Sequence, residues 1–520
     1  METSSSPPPK VTLEAVIRDP YDLAVATART CYSAKGVIRV PDVNKDEKSR
    51  ALRDKIAAST REAGHLTTRQ HAHFVFSLEN VSRQFLWSFL HSHPYYNSEQ
   101  VSQRYVKVSR GHYTVPPMSE MQRKVYEDAI SAQMGDYEKL IELLMPRVES
   151  EYFEIFPVRR KYLDRYTPVL KKKSYEVARY VLPVATHAYL YHTISALTLM
   201  RYHRLMDCYD VPWEQRQVVE QMIAAVLELD PEFARELGDP LLPDQTPEFR
   251  WMQAFQEQTP VHQNYLREFD ASLEGRYASL IDYKAHAPQT LAQAVRSVLG
   301  VTRSQLSDEQ AIEAVLNPAQ NPFLADTLNV NTLSKLSRTL FHVHYTFRKK
   351  ISHTADSQDQ RHRMTPASRP LLEAHYTGRP DYIVPLLIRE NEDALELYQA
   401  SMESSFAAIN RLLDMGLKKE FALYLLPNAF PIRFEESGDL LNLHHKWHTR
   451  ACYTAQEEIF YATMDELKAV KNVHPSLVRH ILAPCYIRKH AGVKPICPEG
   501  ERFCGVKVWE KEIEDYRRLL

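Results

Sequence analysis

The hydrophobic positions of this chain fall mostly at helical spacing. Residues 120–149, 174–206, 213–229, 390–413 and 418–426 repeat their apolar side chains with a period near 3.6, the pattern of helices that bury one face. Shorter runs alternate instead, and 73–78 and 344–347 read as strands. Only 13 glycines stand against 31 prolines, which predicts helices ended by proline and few tight hairpins. The stretch 180–200 holds no Lys, Arg, Asp or Glu. Its length would suit a membrane span, but Pro183, His187, His192 and several hydroxyls predict a buried helix instead. The expected class is α+β, helix-rich.

Part of this pattern occurs twice. HAHFVF (His71 to Phe76) returns as HVHYTF (His342 to Phe347), and EVARYVLP (Glu176 to Pro183) returns as EFALYLLP (Glu420 to Pro427). The order is kept while the spacing differs, as in a duplicated unit. Residues 239–249, rich in proline and acid, mark a boundary between the copies. The expected organisation is a disordered lead-in (1–10), a first half (11–245), a second half (246–475) and a C-terminal extension (476–520). A chain of 520 residues exceeds one core, since domains run to roughly 100–200 residues.

Charge changes the picture little. Lys+Arg number 65 and Asp+Glu 66, a formal net charge of -1, so no polyanion-binding footprint covers the whole chain and nucleic acid is not an expected partner. A small anion needs only a few converging arginines. The opening METSSSPPPK is polar and proline-rich, unlike a secretory leader, and the six cysteines are scattered. Reduced thiols and a cytoplasmic location are therefore expected. His480, Cys485, His490, Cys497 and Cys504 gather near the C-terminus, but cysteine spacings of twelve and seven are not a standard structural zinc pattern. Buried or merely reduced thiols, without metal, are the expectation there.

Two segments carry candidate chemistry. NSEQVSQRY (Asn97 to Tyr105) offers hydroxyl, amide and guanidinium donors within nine positions, the set that a phosphate wants. SQDQRHR (Ser357 to Arg363) places two arginines around a histidine beside two glutamines. It reads as an anion and cofactor clamp. The alternative for both is a solvated polar surface.

These segments bring a resemblance into view. Flavin-dependent thymidylate synthases carry an RHR signature preceded by a glutamine, followed by S-x-R-Y. They also carry an E-x-A-R-x-x-L-P helix and, beyond it, an arginine followed by A-x-x-x-A-Q. The first half is similar over about residues 10–225: Ala26 to Tyr32, Gly64 to Thr67, HAHFVF, Val81 to Arg83, Ser102 to Tyr105 and Glu176 to Pro183 follow in family order. The second half is similar from about Asn331 to Glu458. The departures are complementary. The first half has Leu90-His-Ser-His93 in place of RHR and Met206 in place of the later arginine, but keeps Ser102, Gln103, Arg104 and Arg179. The second half has Thr365 to Arg369 where S-x-R-Y belongs and Leu423 in place of the helix arginine, but keeps Gln358, Arg361, His362, Arg363 and Arg450.

The resemblance implies two tandem copies of the family fold, each with a small antiparallel sheet, and one composite site between unlike halves. It implies reductive methylation of dUMP to dTMP, with FAD as cofactor and NADPH and methylenetetrahydrofolate as co-substrates. Arg450 would be catalytic. Gln358, Arg361, Ser102, Gln103, Arg104 and Arg179 would bind the nucleotide. Thr67, Arg361, His362 and Arg363 would hold the flavin. Asp439, Leu441 and His445, and in the first half Ser195, Leu197 and Arg201, stand at further family flavin positions that they do not match. The alternatives are a relative that binds a pyrimidine nucleotide without turnover and a flavin enzyme acting on a related nucleotide. A homodimer mimicking the family tetramer is expected.

Overall fold

Alternation along eight strands builds two four-stranded antiparallel sheets in this computed structural model, which describes residues 6–17, 19–255 and 259–519. The first sheet contains β1 (Lys10–Val16), β2 (His73–Ser82), β3 (Tyr96–Gln100) and β4 (His187–Ser195), in the order β1-β2-β4-β3. The second contains β5 (Ala278–Tyr283), β6 (His344–Ser352), β7 (Ala367–Ser368) and β8 (Pro431–Asp439), in the order β5-β6-β8-β7. The duplicated motifs open the central strands β2 and β6. Phe76, His192 and Ser98 form one row across the first sheet, as Phe347, Glu436 and Ala367 do across the second. The β2–β4 register slips between Leu78 and Val81, where Asn80 adopts φ 58°. This irregularity, at a residue that tolerates the left-handed region, offsets the two halves by one position after the shared motif. Residues 1–5 of the expected lead-in lie outside the described residues. Pro8 and Pro9 carbonyls accept hydrogen bonds from Asn80 and Gln221, and strand pairing starts at Lys10.

The helices that concern the site are α1 (Arg83–His91), α2 (Glu120–Ile155), α3 (Leu163–Ala178), α4 (Ala196–Leu205), α5 (Trp213–Leu229), α6 (His353–Asp359), α7 (Glu392–Asp414), α8 (Leu440–Arg450), α9 (Glu457–Val473) and α10 (Pro484–His490). Ser119 and Gln122 form a capping box that starts α2. This long helix of the first half packs against α7 of the second. Tyr126, Tyr137, Leu144 and Val148 share one buried cluster with Tyr398, Met402, Phe406 and Ile409, so the largest core belongs to both halves at once.

The expected buried helix over 180–200 is corrected by the structure. The segment contains a 3₁₀ turn (Arg179–Val181), the strand β4 and the start of α4. Ala188, Leu190, His192 and Ile194 are buried while Tyr189 and Tyr191 are 58% and 57% exposed. That is a period of two, masked in the sequence because the outward residues are aromatic. The run 418–426 likewise holds only a short helix, Lys419–Ala422, before a 3₁₀ turn.

The second repeat motif lies at the centre of the molecule. EVARYVLP and EFALYLLP cross antiparallel. Val184 N–H donates to Leu426 O and Asn428 N–H to Leu182 O, both at 2.8 Å; Ala185 N–H donates to Tyr424 O and Ala429 N–H to Tyr180 O, both at 2.9 Å. Each bond has its mate across a local two-fold axis. Two buried glutamates obey the same symmetry. Glu214 on α5 accepts from Ser82 N and Oγ and Glu458 on α9 from Ser352 N and Oγ, while Tyr424 and Tyr180 approach them from the opposite half.

Candidate functional site

The connection from β2 to α1 and that from β6 to α6 are built alike, with Ser82 and Ser352 capping the helices. At the end of α6 the chain turns through Gln358, Arg361, His362 and Arg363. From there Arg361 reaches Glu99 Oε2 at 3.0 Å and Arg363 reaches Asn97 Oδ1 at 3.1 Å, both on β3 of the other half. Arg363 also lies 5.0 Å from the centre of the Tyr96 ring, a cation–π distance. Asp359, buried under this turn, is paired with Lys446 at 2.9 Å and Lys349 at 3.4 Å. Its negative charge is therefore shared first with two buried lysines of the second half.

Arg450 ends α8 and is half-buried. Its Nε donates to His362 Nε2 at 2.8 Å, and a terminal nitrogen donates to the Gln358 carbonyl at 3.3 Å. Burial, together with Arg450 beside it, holds the His362 pKa well below its usual value, so the ring is neutral and can accept. Burial also lowers Arg450 to about 10, helped by Arg104 and Arg361 and opposed by Asp359. At neutral pH it stays charged.

The first half supplies the facing cations. Arg104 donates to the Thr454 carbonyl at 2.8 Å and to Glu176 at 2.9 Å. Arg179 donates to Gln456 Oε1 at 2.8 Å and to the Glu176 carbonyl at 3.1 Å. Gln456 N–H in turn donates to Gln358 Oε1 at 3.4 Å. Burial would raise the Glu176 carboxyl, but Arg104, Lys173, Arg518 and Arg179 outweigh it and hold its pKa at about 2. Glu176 therefore faces four cations, with Glu457 also near Arg518 and Glu458 near Arg179. Arg104 Nε is buried without a hydrogen-bond partner among the described residues. A buried excess of positive charge with an unspent donor fits an anionic ligand.

Of the sequence-predicted residues, Gln358, His362, Arg450, Arg104 and Arg179 are joined in this network, and Arg361 approaches it from the side. Ser102 and Gln103 support it. Ser102 Oγ accepts from Arg104 N–H at 3.2 Å, and Gln103 bridges Thr186 and Asn428. Thr67 stands apart, exposed on a 3₁₀ turn, Leu66–Gln70; Gln70 of that turn borders the cleft described next. Arg518 was not anticipated. It comes from the C-terminal extension, bonding the Ala455 carbonyl at 2.9 Å and Glu176 at 3.2 Å. No local motif marked it; only the folded chain brings it there. Gln456 lay inside the Arg450 motif without an assigned role.

Beside the network a cleft of about 690 Å³ opens between the halves, lined by Arg361, His362 and Arg363 from the second and by Tyr95, Ser195 and Arg201 from the first. Its size lies within the range of ligand pockets, roughly 300–1,000 Å³. Its cations and hydroxyls suit a pyrophosphate. Leu197 and His445 also line it. Asp439 does not, because its carboxylate caps α8, accepting from Asn442 N–H at 3.0 Å and Nδ2 at 2.6 Å. Leu441 is buried in the core.

The local two-fold axis relates this site to a second cavity of about 440 Å³, where Met206 and Leu423 stand in place of Arg450 and Arg179. Counting six residues from the matched sheet row, Ser98 and Ala367, puts Glu373 opposite Arg104. Asp207, Asp210 and Glu420 line the same cavity. The network is cationic; the cavity at its symmetry mate is mainly acidic, with Arg216 paired to Asp207 at 2.8 Å.

Comparison with known proteins agrees with the duplication. The family model described as thymidylate synthase complementing protein matches residues 12–232 and 279–476. The flavin-dependent thymidylate synthase of Clostridium tetani is 28% identical over 242 residues, 46% of this chain and 90% of that protein. That of Nitratidesulfovibrio vulgaris is 30% identical over 231 residues, 44% of this chain and 87% of its own length. Among solved structures, a flavin-dependent thymidylate synthase from Helicobacter pylori, complexed with FAD and dUMP, covers 39% of this chain and 99% of its own at 19% identity and a TM-score of 0.30. With both repeats and all but the first residues of both sheets inside the matched regions, the chain belongs to the thymidylate synthase complementing protein family, as two tandem copies of the family unit.

Proposed function

We propose that the chain is an FAD-dependent thymidylate synthase that converts dUMP to dTMP, with methylenetetrahydrofolate as carbon donor and NADPH as reductant, at one composite site made by its unlike halves. The observation that carries this reading is the convergence of the retained residues: Gln358, His362 and Arg450 from the second half meet Arg104 and Arg179 from the first in one hydrogen-bonded network.

Each residue has a role in this reading. Arg104 and Arg179 bind the nucleotide phosphate, with Ser102 and Gln103 fixing their loop and Arg518 holding Glu176 from the far side. Gln358 and Arg361 bound the nucleotide where it meets the cofactor. Arg450 lies along the pyrimidine edge, where a fixed guanidinium stabilises negative charge developing on the ring. Its partner His362 keeps it oriented. Arg361, His362 and Arg363, with Ser195 and Arg201 across the cleft, would hold the flavin, and Thr67 would join them through the turn whose Gln70 borders the cleft. When bound, the flavin supplies the hydride chemistry.

The visible absorption spectrum of the purified, undialysed protein, with FAD added if it is colourless, tests the proposal. An oxidised-flavin spectrum that shifts on adding dUMP is expected. A second reading, a relative that binds the nucleotide without turnover, draws on Asp439 and Leu441, whose side chains serve a helix cap and the core. Calorimetric dUMP binding by a protein that takes up no flavin would replace the first reading with the second.

A further inference from the structure

Four of the six cysteines converge at one place outside the cationic network. Cys452 sits in the turn between α8 and α9, two residues beyond Arg450. Cys485 lies in the first turn of α10, and Cys497 and Cys504 follow in the coil after that helix. All four are free thiols and all four line one small cavity, closed otherwise by Tyr453, Pro484, Pro498, Phe503 and Val508 among others. Burial pushes all four thiols up, Cys485 to about 12 and Cys504 to about 11. The remaining two cysteines lie elsewhere. Cys31 is exposed, and Cys208, the symmetry counterpart of Cys452, borders the acidic pocket.

We propose that Cys452, Cys485, Cys497 and Cys504 ligate an iron–sulfur cluster of the four-iron, four-sulfide type. Four cysteine thiolates are the full ligand set of such a centre. The four cysteines line one void, and among the described residues no group of three or more His, Cys, Asp or Glu is placed to hold a single metal ion. A cluster binds each sulfur to a different iron and so needs a void between them. The separations of 33, 12 and 7 residues also lack the close cysteine pairs of structural zinc sites. The histidines nearby are committed elsewhere. His480 Nε2 meets Glu313 at 3.1 Å, and His490 lies against the Tyr486 ring at 4.2 Å. Glu499, the carboxylate in the cavity wall, pairs with Arg502 at 3.3 Å.

Ligation is a proton exchange without electron transfer. The four thiols release four protons to solvent, and four iron–sulfur bonds form to a cluster supplied with its own iron and sulfide. The cluster would join the Arg450 turn to the extension. Tyr453 OH accepts from Arg517 N–H at 2.8 Å, and Tyr516 OH accepts from Ala483 N–H at 3.3 Å. It would thereby fix the tail that delivers Arg518 to Glu176. The expectation of metal-free thiols, drawn from sequence spacing, took no account of Cys452.

The test is iron and acid-labile sulfide analysis of the whole protein purified without oxygen, with electron paramagnetic resonance after dithionite reduction to separate a cluster from any flavin. About four iron and four sulfide per chain are expected, and Cys485→Ser or Cys497→Ser should lose both while Cys208→Ser keeps them. Iron and sulfide absent from the wild-type protein, and still absent after anaerobic reconstitution with ferrous iron and sulfide, would overturn the proposal. So would one zinc per chain without sulfide. The wild-type measurement decides even if a cysteine variant fails to fold.

Discussion

At Arg450, five N–H donors meet two acceptors among the described residues, His362 and the Gln358 carbonyl. The surplus is what a pyrimidine edge would use. A lysine there keeps the charge but loses the planar fork. Arg450→Lys is therefore expected to lower kcat by about 100-fold or more while dUMP affinity changes less than tenfold, read by dTMP formation and calorimetry. A loss of affinity with kcat intact would assign Arg450 to ground-state binding alone. Arg518 makes the opposite prediction. It touches Glu176, which organises Arg104 and Arg179, so Arg518→Gln should weaken dUMP binding by about tenfold with kcat at saturation little changed. An unaltered binding isotherm would remove Arg518 from the site. Most of this chemistry was readable as motifs, because arginine, histidine and glutamine at fixed spacing are local signals. Arg518 was not, because its partner lies 342 positions away.

Helix and strand propensity failed where burial on one face was hidden by aromatics on the other. β4 carries Tyr189 and Tyr191 toward solvent and Ala188, Leu190, His192 and Ile194 inward, so its alternation vanished into a charge-free run. The long helices α2 and α7 were legible because each repeats its apolar face over many turns. What no pattern could show is that α5 and α9 each place a buried glutamate beneath a strand end. Burial raises Glu214 and Glu458 to about 7, although serine donors pull them down. A carboxyl with a raised folded-state pKa holds its proton longer when folded than when unfolded. The folded state is therefore favoured below pH 4.5, and that advantage is lost as pH rises toward 7. Each glutamate should cost about 3 kcal/mol between those limits. Urea unfolding at pH 5 and pH 7.5 should show Glu458→Gln losing less stability over this interval than the wild-type protein. Equal pH dependence in both would show that Glu458 keeps an ordinary pKa.

Across the whole molecule, duplication has been followed by divergence of charge. Leu78, His192 and Tyr202 in the first half correspond to Lys349, Glu436 and Lys446 in the second. An aromatic and apolar cluster thus stands opposite a buried ion network, in which Lys349 pairs with Glu436 and Glu466 at 2.9 Å. Buried pairs of this kind are weak sources of stability, but they hold the turn that presents Arg361, His362 and Arg363. The two symmetry-related sites diverged in the same way. Where the proposed composite site has Arg104, Arg179 and Arg450, its mate has Glu373, Leu423 and Met206. Burial raises Asp210 well above the usual carboxylate range, with Glu373 and Glu420 adding to it, so this pocket already repels negative charge within itself. A nucleotide phosphate entering it would meet no guanidinium at the positions proposed to bind it in the composite site, and the one that lines the cavity, Arg216, is paired with Asp207. The chain should therefore bind one dUMP, although it contains two family units. Calorimetric titration of the full chain is expected to saturate at one nucleotide per chain, and Arg104→Gln should abolish that single isotherm or weaken it as a whole. A stoichiometry of two, or a residual site of full affinity in Arg104→Gln, would mean that the acidic pocket also binds and that the halves have not divided their roles. If the count is one, a dimer of chains would carry two sites on four family units, and a light-scattering mass of two chains would agree with the tetramer-like assembly proposed from the duplication.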